Sequence, residues 1–451
     1  MKLQTKILLG LLAGAAAGIA VNLTLGGDHP GVVAFNRYVA SPVGQIFLRL
    51  LFMVVMPLVF ASIALGVAGI GDIRKVGRIG GKTIGYFLIT TVLSVTLGLA
   101  VCATIRPGSR VDASTRDGLL ASYADEASSK IETSQQNEFG IETFVNIVTR
   151  NPIKSAVDGD MLGVIFFGLM FGAGITLIHE KRGKFLVEWL EGISEVVIKI
   201  VEMAMKLAPF GVAGLIFGVT SRFGFALFAP LAIYVAVVLG ALLLHATVTM
   251  SLIVRFVIGM SPVLFFSRIR EALITAFSTS SSGATLPTNI AVGEQNLGLP
   301  PKVAGFVYPL GATMCMHGTA LFEGTTVIFL CEVFGKPLSL GQMAVVMVMC
   351  VITAVGAAGV PGGSIPLLVG VLAMFGVPAA GIAVILGVDR VLDMARTTVN
   401  VLGDHTAAAF IAKSEGLWTA ADVPATFGMD RAGADDSPGW PADESTGGEK
   451  K

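Results

Sequence analysis

Five polar residues recur within one otherwise apolar stretch near the end of the chain, and their types and spacing suit the binding of a charged small molecule. Counted from Asp389, the residues Asp393, Arg396, Asn400 and Asp404 follow at 4, 7, 11 and 15 positions. At about 100° per residue these offsets fall at about 40°, 340°, 20° and 60°, so a helix carries all five on a stripe roughly 80° wide. Arg390, at about 100°, is expected to point away from the stripe. Ionisable side chains inside an apolar membrane helix are costly unless paired or hydrated, which makes them functional hypotheses. The competing explanation is a ladder of ion pairs that only staples helices together. The planar guanidinium of Arg396 matches a carboxylate with two parallel hydrogen bonds. Asp393, one turn earlier, can accept an ammonium group, so the two together complement a zwitterion bearing a further carboxylate. Asp404 is a hard oxygen ligand suited to an alkali cation. Three carboxylates share the stripe with one arginine, an excess of negative charge that calls for cations.

Such a stripe has to be held by membrane helices. The chain has 451 residues, of which 54% are apolar and only 14% charged, and its mean hydropathy is +0.79. A soluble domain would carry about a quarter charged residues. Apolar stretches fall near 5–25, 43–70, 83–105, 141–179, 189–219, 225–258, 303–334 and 379–412. Residues 7–25 carry no charge and are long enough to cross a hydrocarbon core of about 30 Å. Their length and flanks are unlike those of a cleaved signal. A net charge of zero argues against a nucleic-acid partner. Cys102, Cys315, Cys331 and Cys350 lie in apolar segments without paired spacing and read as packing residues, not disulfides or a zinc site.

Lys and Arg in short loops set the orientation. Lys2 and Lys6, then Arg74, Lys75, Arg78 and Lys82, then Lys181, Arg182 and Lys184 belong on the cytoplasmic side. Segment 107–140 holds six acids against three bases and suits the outside. The alternation gives a cytoplasmic N-terminus and eight full crossings. From about Ser414 the chain is polar and rich in Gly, Asp and Pro, the composition of a disordered cytoplasmic tail. Two further apolar segments, 262–293 and 340–377, are broken in the middle by 280–287 (SSSGATLP) and 358–366 (AGVPGGSIP). Irregular backbone at membrane depth is tolerated only where protein or a water-lined cavity satisfies it. Paired interruptions of this kind point to a transporter's binding site, against the plainer reading of two kinked helices.

With these residues assembled, the sequence resembles the dicarboxylate/amino acid:cation symporter family, which includes archaeal aspartate and mammalian glutamate transporters. The likeness covers about residues 5–413. It rests on the serine-rich tip ending Thr285-Leu286-Pro287, the tip Gly359-Val360-Pro361-Gly362-Gly363, and the Asp389–Asp404 stripe in the family's order and spacing. Thr90-Thr91 with Val95-Thr96-Leu97-Gly98, and Asn151-Pro152 with Met161-Leu162 and Ile165-Phe166-Phe167, resemble its third and fourth helices.

The resemblance implies an all-α integral membrane fold of eight transmembrane helices plus two re-entrant helical hairpins, built as an inverted-repeat elevator transporter and assembled as a homotrimer in a bacterial inner membrane. It further implies scaffold helices in 1–80 and 141–219, a transport-domain helix in 81–106, an extracellular loop in 107–140, the rest of the transport domain in 220–413 and a tail in 414–451. Residue by residue, Arg396 matches the ligand of the substrate's side-chain carboxylate and Asp393 that of its amino group. Thr397 and Asn400 match further contacts, as does Thr319 to the side-chain carboxylate, and Ser282 with Val360–Gly363 the two hairpin tips. Asp404 with carbonyls of Gly311, Cys315 and Asn400 resembles one sodium site. Carbonyls of Thr313, Met316, Ala354 and Ala357 resemble a second. Two sodium ions are thereby implied as cosubstrates.

One departure stands out. The family usually reads Asn-Met-Asp-Gly-Thr where this chain has Cys315-Met316-His317-Gly318-Thr319. Both side chains that would anchor a third sodium beside Thr90 and Thr91 are replaced, and sodium requires hard oxygen ligands. Histidine titrates near neutrality, so His317 is a candidate proton carrier, a built-in cation, or a neutral hydrogen-bonded residue doing neither. His29, His179 and His245 show no comparable context. The functional expectation is symport of aspartate or glutamate with sodium, and with a proton as a further candidate. A C4-dicarboxylate carrier of the same fold is the near alternative, disfavoured because succinate has no ammonium for Asp393. An intramembrane protease using Ser282 and His317 would leave the ionic stripe idle, and the chain is not read as an enzyme.

Overall fold

The computed structural model describes residues 3–53, 55–69, 73–112, 115–117, 148–158, 161–224, 228–355 and 364–424, and every regular element among them is helical. The principal helices are α1 (Leu3–Leu25), α2 (Ser41–Met53), α3 (Val55–Gly69), α4 (Ile73–Ile105), α5 (Met161–Leu177) and α6 (Glu180–Phe223). They are followed by α7 (Phe228–Leu244), α8 (Pro262–Thr279), α9 (Ser282–Gln295), α10 (Pro301–Met314), α11 (His317–Val333), α12 (Leu340–Val355), α13 (Ile365–Met374) and α14 (Ala383–Ser414).

Five described helical spans are long and apolar enough to cross a membrane: Thr5–Leu25, Arg78–Arg110, Met203–Phe223, Ala229–Ile258 and Pro301–Val333. The shorter apolar helices Phe166–Leu177 and Leu340–Ala354 accompany them. The last helix, α14, is absent from that set despite its length, because Asp389, Arg390, Asp393, Arg396 and Asp404 lower its hydropathy. The apolar window of Thr5–Leu25 is only 18% buried, whereas that of Pro301–Val333 is entirely buried. The first therefore presents its side chains outward and the second runs through the middle of the molecule.

The described helices pack as two groups. In one, α1 lies along α6, α2 also packs on α6, and α3 pairs with α5. The backbones of α1 and α6 touch: a Cβ at Gly10 or Gly14 would strike the carbonyl oxygen of Pro209 or Ala213. Small residues that admit such close approach are how helices associate where no hydrophobic drive separates protein from lipid. In the other group α4 pairs with α11, α9 with α10, and α14 runs centrally against α8, α10 and α11. Between the groups the contacts are few and lie chiefly where α14 passes α6 and α1. A small cleft opens at that seam, lined by Ile7, Phe47 and Met205 on one side and Leu386, Asp389 and Asp393 on the other.

Segment 262–293 is a helical hairpin. Pro262 sits in the first turn of α8, where its missing N–H costs nothing. Ser280 ends α8 in the left-handed region with φ +51°, and the Ser281 Oγ accepts the Ala284 N–H at 3.1 Å to cap α9. The chain thus reverses within two residues. The second broken segment supplies α12 and α13, and its tip, 356–363, lies outside the described residues. A third break, unforeseen in the apolar pattern, separates α10 from α11 at Cys315 and Met316, whose φ, ψ of −88°, 69° and −109°, 37° are not helical.

Glu415–Pro424, expected to begin a disordered tail, is folded. Gly416, at φ +67°, turns the chain back after α14, and Trp418 is buried in the same apolar cluster as Leu297 and Leu299, between α9 and α10, and Val303 of α10. Polar composition concealed one large apolar anchor. Residues 425–451 lie outside the described set.

Candidate solute and cation site

The stripe forms as its spacing requires: Asp389, Asp393, Arg396, Thr397, Asn400 and Asp404 are all buried on α14. Arg396 bridges two carboxylates. Its Nη1 donates to Asp389 Oδ1 at 3.1 Å, and its Nε donates to Asp393 Oδ1 at 3.0 Å, with Nη2 2.8 Å from the same oxygen. The guanidinium also lies 4.3 Å from the centre of the Phe322 ring on α11, a cation–π contact that holds its plane. Arg390 departs from expectation. Its long side chain reaches along the helix and donates from Nη1 to Asp393 Oδ2 at 3.3 Å, so two arginines and two aspartates form one neutral network.

Asn400 ties the stripe to the break before α11. Its Oδ1 accepts the N–H groups of Gly318 at 2.8 Å and Thr319 at 3.2 Å, and its Nδ2 donates to Thr319 Oγ1 at 3.0 Å. These are first-turn amides with no partner inside their own helix. Met316 completes the cluster, its Sδ 3.1 Å from Asn400 Nδ2.

Beyond Asn400 sits a candidate cation site. Asp404 is fully buried, and its Oδ1 has no hydrogen-bond partner. Its Oδ2 is 3.5 Å from Asn289 Nδ2 on α9, a marginal bond at most. Gly311, in the last turn of α10, lies so close that a Cβ there would strike Asp404 Oδ1. A buried carboxylate with an unpartnered oxygen, set against the last turn of α10, offers the hard anionic oxygen that a sodium ion takes. Cys315 is buried beside it, and its N–H donates to Gly311 O at 2.8 Å. Of the second implied set, Met316 and Ala354 are buried, Thr313 is exposed, and Ala357 lies outside the described residues. Ser282 is buried at the start of α9. Val360 and Gly363 also fall outside the described residues.

His317 is not alone. Its Nδ1 is 3.1 Å from Nε2 of His245, both rings are fully buried, and His317 Nε2 and His245 Nδ1 lack partners. His245 opens a widened helical turn, His245–Thr249, which follows α7 and departs from α-helical pitch. Such turns are frequent at functional sites. Thr90 and Thr91 use their hydroxyl hydrogens on carbonyls of their own helix, Tyr86 O and Phe87 O at 2.9 and 2.7 Å. Ser94, one turn on, donates to His317 O at 2.9 Å. This neighbourhood offers imidazoles and a thiol where sodium would need an anionic oxygen, and it does not fit that ion.

Sequence reading also passed over Glu323. It lies on α11 next to Phe322 and is fully buried; Oε2 accepts from Thr353 Oγ1 of α12 at 2.8 Å, and Oε1 has no partner. Its position one turn after Thr319 was the only available signal. All four cysteines are free and buried.

Buried ion pairs on a central helix, broken helices converging on them and apolar outer surfaces define a membrane transport protein. Residues 3–414 match the model of the sodium:dicarboxylate symporter family, and the chain belongs to that family. It is 36% identical over 409 residues to the proton/sodium-glutamate symport protein of Geobacillus stearothermophilus, covering 90% of this chain and 95% of that one. It is 36% identical over 375 residues to the proton/glutamate-aspartate symporter of Escherichia coli strain K12, covering 83% and 85%. The C4-dicarboxylate transport protein of Bacillus subtilis strain 168 is 33% identical over 392 residues, covering 86% and 91%.

Proposed function

We propose that this protein is a secondary symporter of acidic amino acids, aspartate or glutamate, coupled to sodium. The observation that carries the reading is the shared guanidinium of Arg396, buried between Asp389 and Asp393 on the stripe that ends in the unpartnered Asp404 oxygen. A solute side-chain carboxylate exchanges for an aspartate on the Arg396 fork, and the freed Asp393 takes the solute's ammonium. The solute's remaining carboxylate adds one net negative charge to the neutral network, which calls for a cation bound alongside it where unpaired charge is costly. Thr397, Asn400, Thr319 and Ser282 complete the solute shell, to which the family resemblance adds Val360–Gly363.

Asp404 with the carbonyls of Gly311, Cys315 and Asn400 holds one sodium ion, and Thr313, Met316, Ala354 and Ala357 supply a second site. Bound cations neutralise Asp404 and connect the helix ends around Gly311 and Cys315 to the solute shell. The misfit of the His245–His317 neighbourhood supports two sodium ions in place of three. Proton coupling has two candidate carriers: His317, and Glu323, which follows Phe322 in sequence and keeps one buried oxygen without a hydrogen-bond partner.

The sparse seam between the helix groups supports an elevator movement. In it the group around α14 slides past a scaffold of α1, α2, α3, α5 and α6, held in a homotrimer in the inner membrane with both termini cytoplasmic. A C4-dicarboxylate is the second reading, favoured by the Bacillus subtilis relative and disfavoured by Asp393. Uptake of labelled aspartate into proteoliposomes, with sodium, proton and potassium gradients imposed separately and succinate as competitor, tests both. Sodium-driven aspartate uptake resistant to succinate is the expected result. Preference for succinate would overturn the amino-acid reading, and uptake indifferent to sodium the coupling.

A further inference from the structure

The folded segment after α14 crosses the base of the serine hairpin and joins three elements. At its start, Glu415 binds Arg78 (Nη2 to Oε2, 3.0 Å) and Lys82 (Nζ to Oε1, 2.6 Å) from the beginning of α4. In the middle, the indole N–H of Trp418 donates to Leu297 O at 2.8 Å, in the turn that leaves α9. At its end, Pro424 O accepts from Arg268 Nη2 of α8 at 2.6 Å, and Arg268 O accepts from Asn296 Nδ2 at 3.1 Å. The segment is shaped for this course. Thr419 and Asp422 close a reciprocal cap, Thr419 N–H to Asp422 Oδ2 at 2.6 Å. Asp422 O packs against Gly298, which has φ +71° and where a Cβ would lie 2.6 Å from that oxygen.

We propose that Glu415–Pro424 is a strap that fixes the base of the α8–α9 hairpin to the ends of α14 and α4, and so restrains the hairpin from opening. Both legs of the hairpin are held, α8 through Arg268 and the exit of α9 through Leu297 and Gly298. The hairpin is therefore anchored at its base by the strap and along its length by α10 and α14. Trp418 is the element that bears the restraint, because it alone in the segment combines deep burial with a hydrogen bond to the hairpin's exit. The consequence for transport, control of solute release past the serine tip, rests on the symporter reading. The restraint itself does not.

Hydrogen–deuterium exchange of the full-length protein in lipid nanodiscs tests the strap without any solute. Trp418→Ala should speed exchange in peptides covering 264–299 by at least about tenfold, while peptides from α11 remain as in the wild type. Trp418→Phe keeps a smaller aromatic ring and loses the N–H bond, and should give a smaller change in the same peptides. Unchanged exchange in the hairpin, or equal loss of protection throughout both helix groups, would overturn the proposal. Labelled-aspartate exchange in the same variants then reports on release. Faster exchange in Trp418→Ala is expected, and no exchange in the wild type would count against the symporter reading alone.

Discussion

Arg396 and Asp389 are joined at 3.1 Å across two turns of α14, although Asp393 lies closer in sequence and also binds the same guanidinium. Under the proposed symporter reading a substrate carboxylate meets an arginine already in use, and affinity is the difference between two charge-assisted pairings.

Removing the fork should be decisive. Arg396→Ala is expected to abolish uptake of acidic solutes, with a loss of about 2–5 kcal/mol in binding, because an anion is left buried without its partner. Serine or cysteine should bind in its place. Calorimetry on the purified variant checks this, and unchanged aspartate affinity would end the assignment.

Asp393→Asn should weaken aspartate binding far more than succinate binding, since only aspartate presents an ammonium. The loss for aspartate should reach about 2 kcal/mol, within the range for a hydrogen bond to a charged group. Competition between the two solutes in wild type and variant provides the measurement.

At the cation site, Asp404→Asn should reduce the sodium dependence of solute binding by about tenfold or more, about 1.4 kcal/mol. Gly311→Ala should do likewise, since its Cβ meets Asp404 Oδ1, whereas Gly305→Ala on the same helix enters open space and should be neutral. Binding titrations in sodium and in choline separate these outcomes.

Reversal potentials in proteoliposomes at two pH values assign the proton. Glu323→Gln should remove a proton-driven component if that carboxyl is the carrier. His317→Asp should add sodium dependence, weakly while Cys315 and His245 remain beside it. Each charge moved contributes about 2.3 kcal/mol per 100 mV, well within measurement. Ion stoichiometry identical in all three proteins would exclude both residues from coupling.

The hydrogen bonds from Arg78 and Lys82 hold the Glu415 carboxyl down at about 2, below its ordinary 4.5. With the folded value depressed, the interaction is fully present above the unfolded value and is lost as pH falls through the folded one. Glu415→Gln should therefore lower the unfolding temperature at pH 7, and the gap from wild type should narrow towards pH 3. A constant gap would mean that the carboxylate charge is not what stabilises the strap.

The stripe was legible from sequence because helical periodicity alone decides which face Asp389, Asp393, Arg396, Asn400 and Asp404 share. The hairpin at Ser280–Ser281 was legible because the run 280–287 (SSSGATLP) interrupts an apolar segment at membrane depth. Family membership followed from the same motifs. What sequence could not determine lies in contacts between distant positions. His245 meets His317 across 72 residues, and Thr353 meets Glu323 across 30. Trp418 meets Leu297 across 121. Each is one side chain in an unremarkable local setting, and neither period nor composition carries information about a partner on another helix. Even Arg390, misplaced by its angle on the wheel, was corrected only by the reach of its own side chain. Local backbone geometry determined which groups could act together on α14. Only packing decided which buried atoms were satisfied and which, like Asp404 Oδ1, were left without a hydrogen-bond partner.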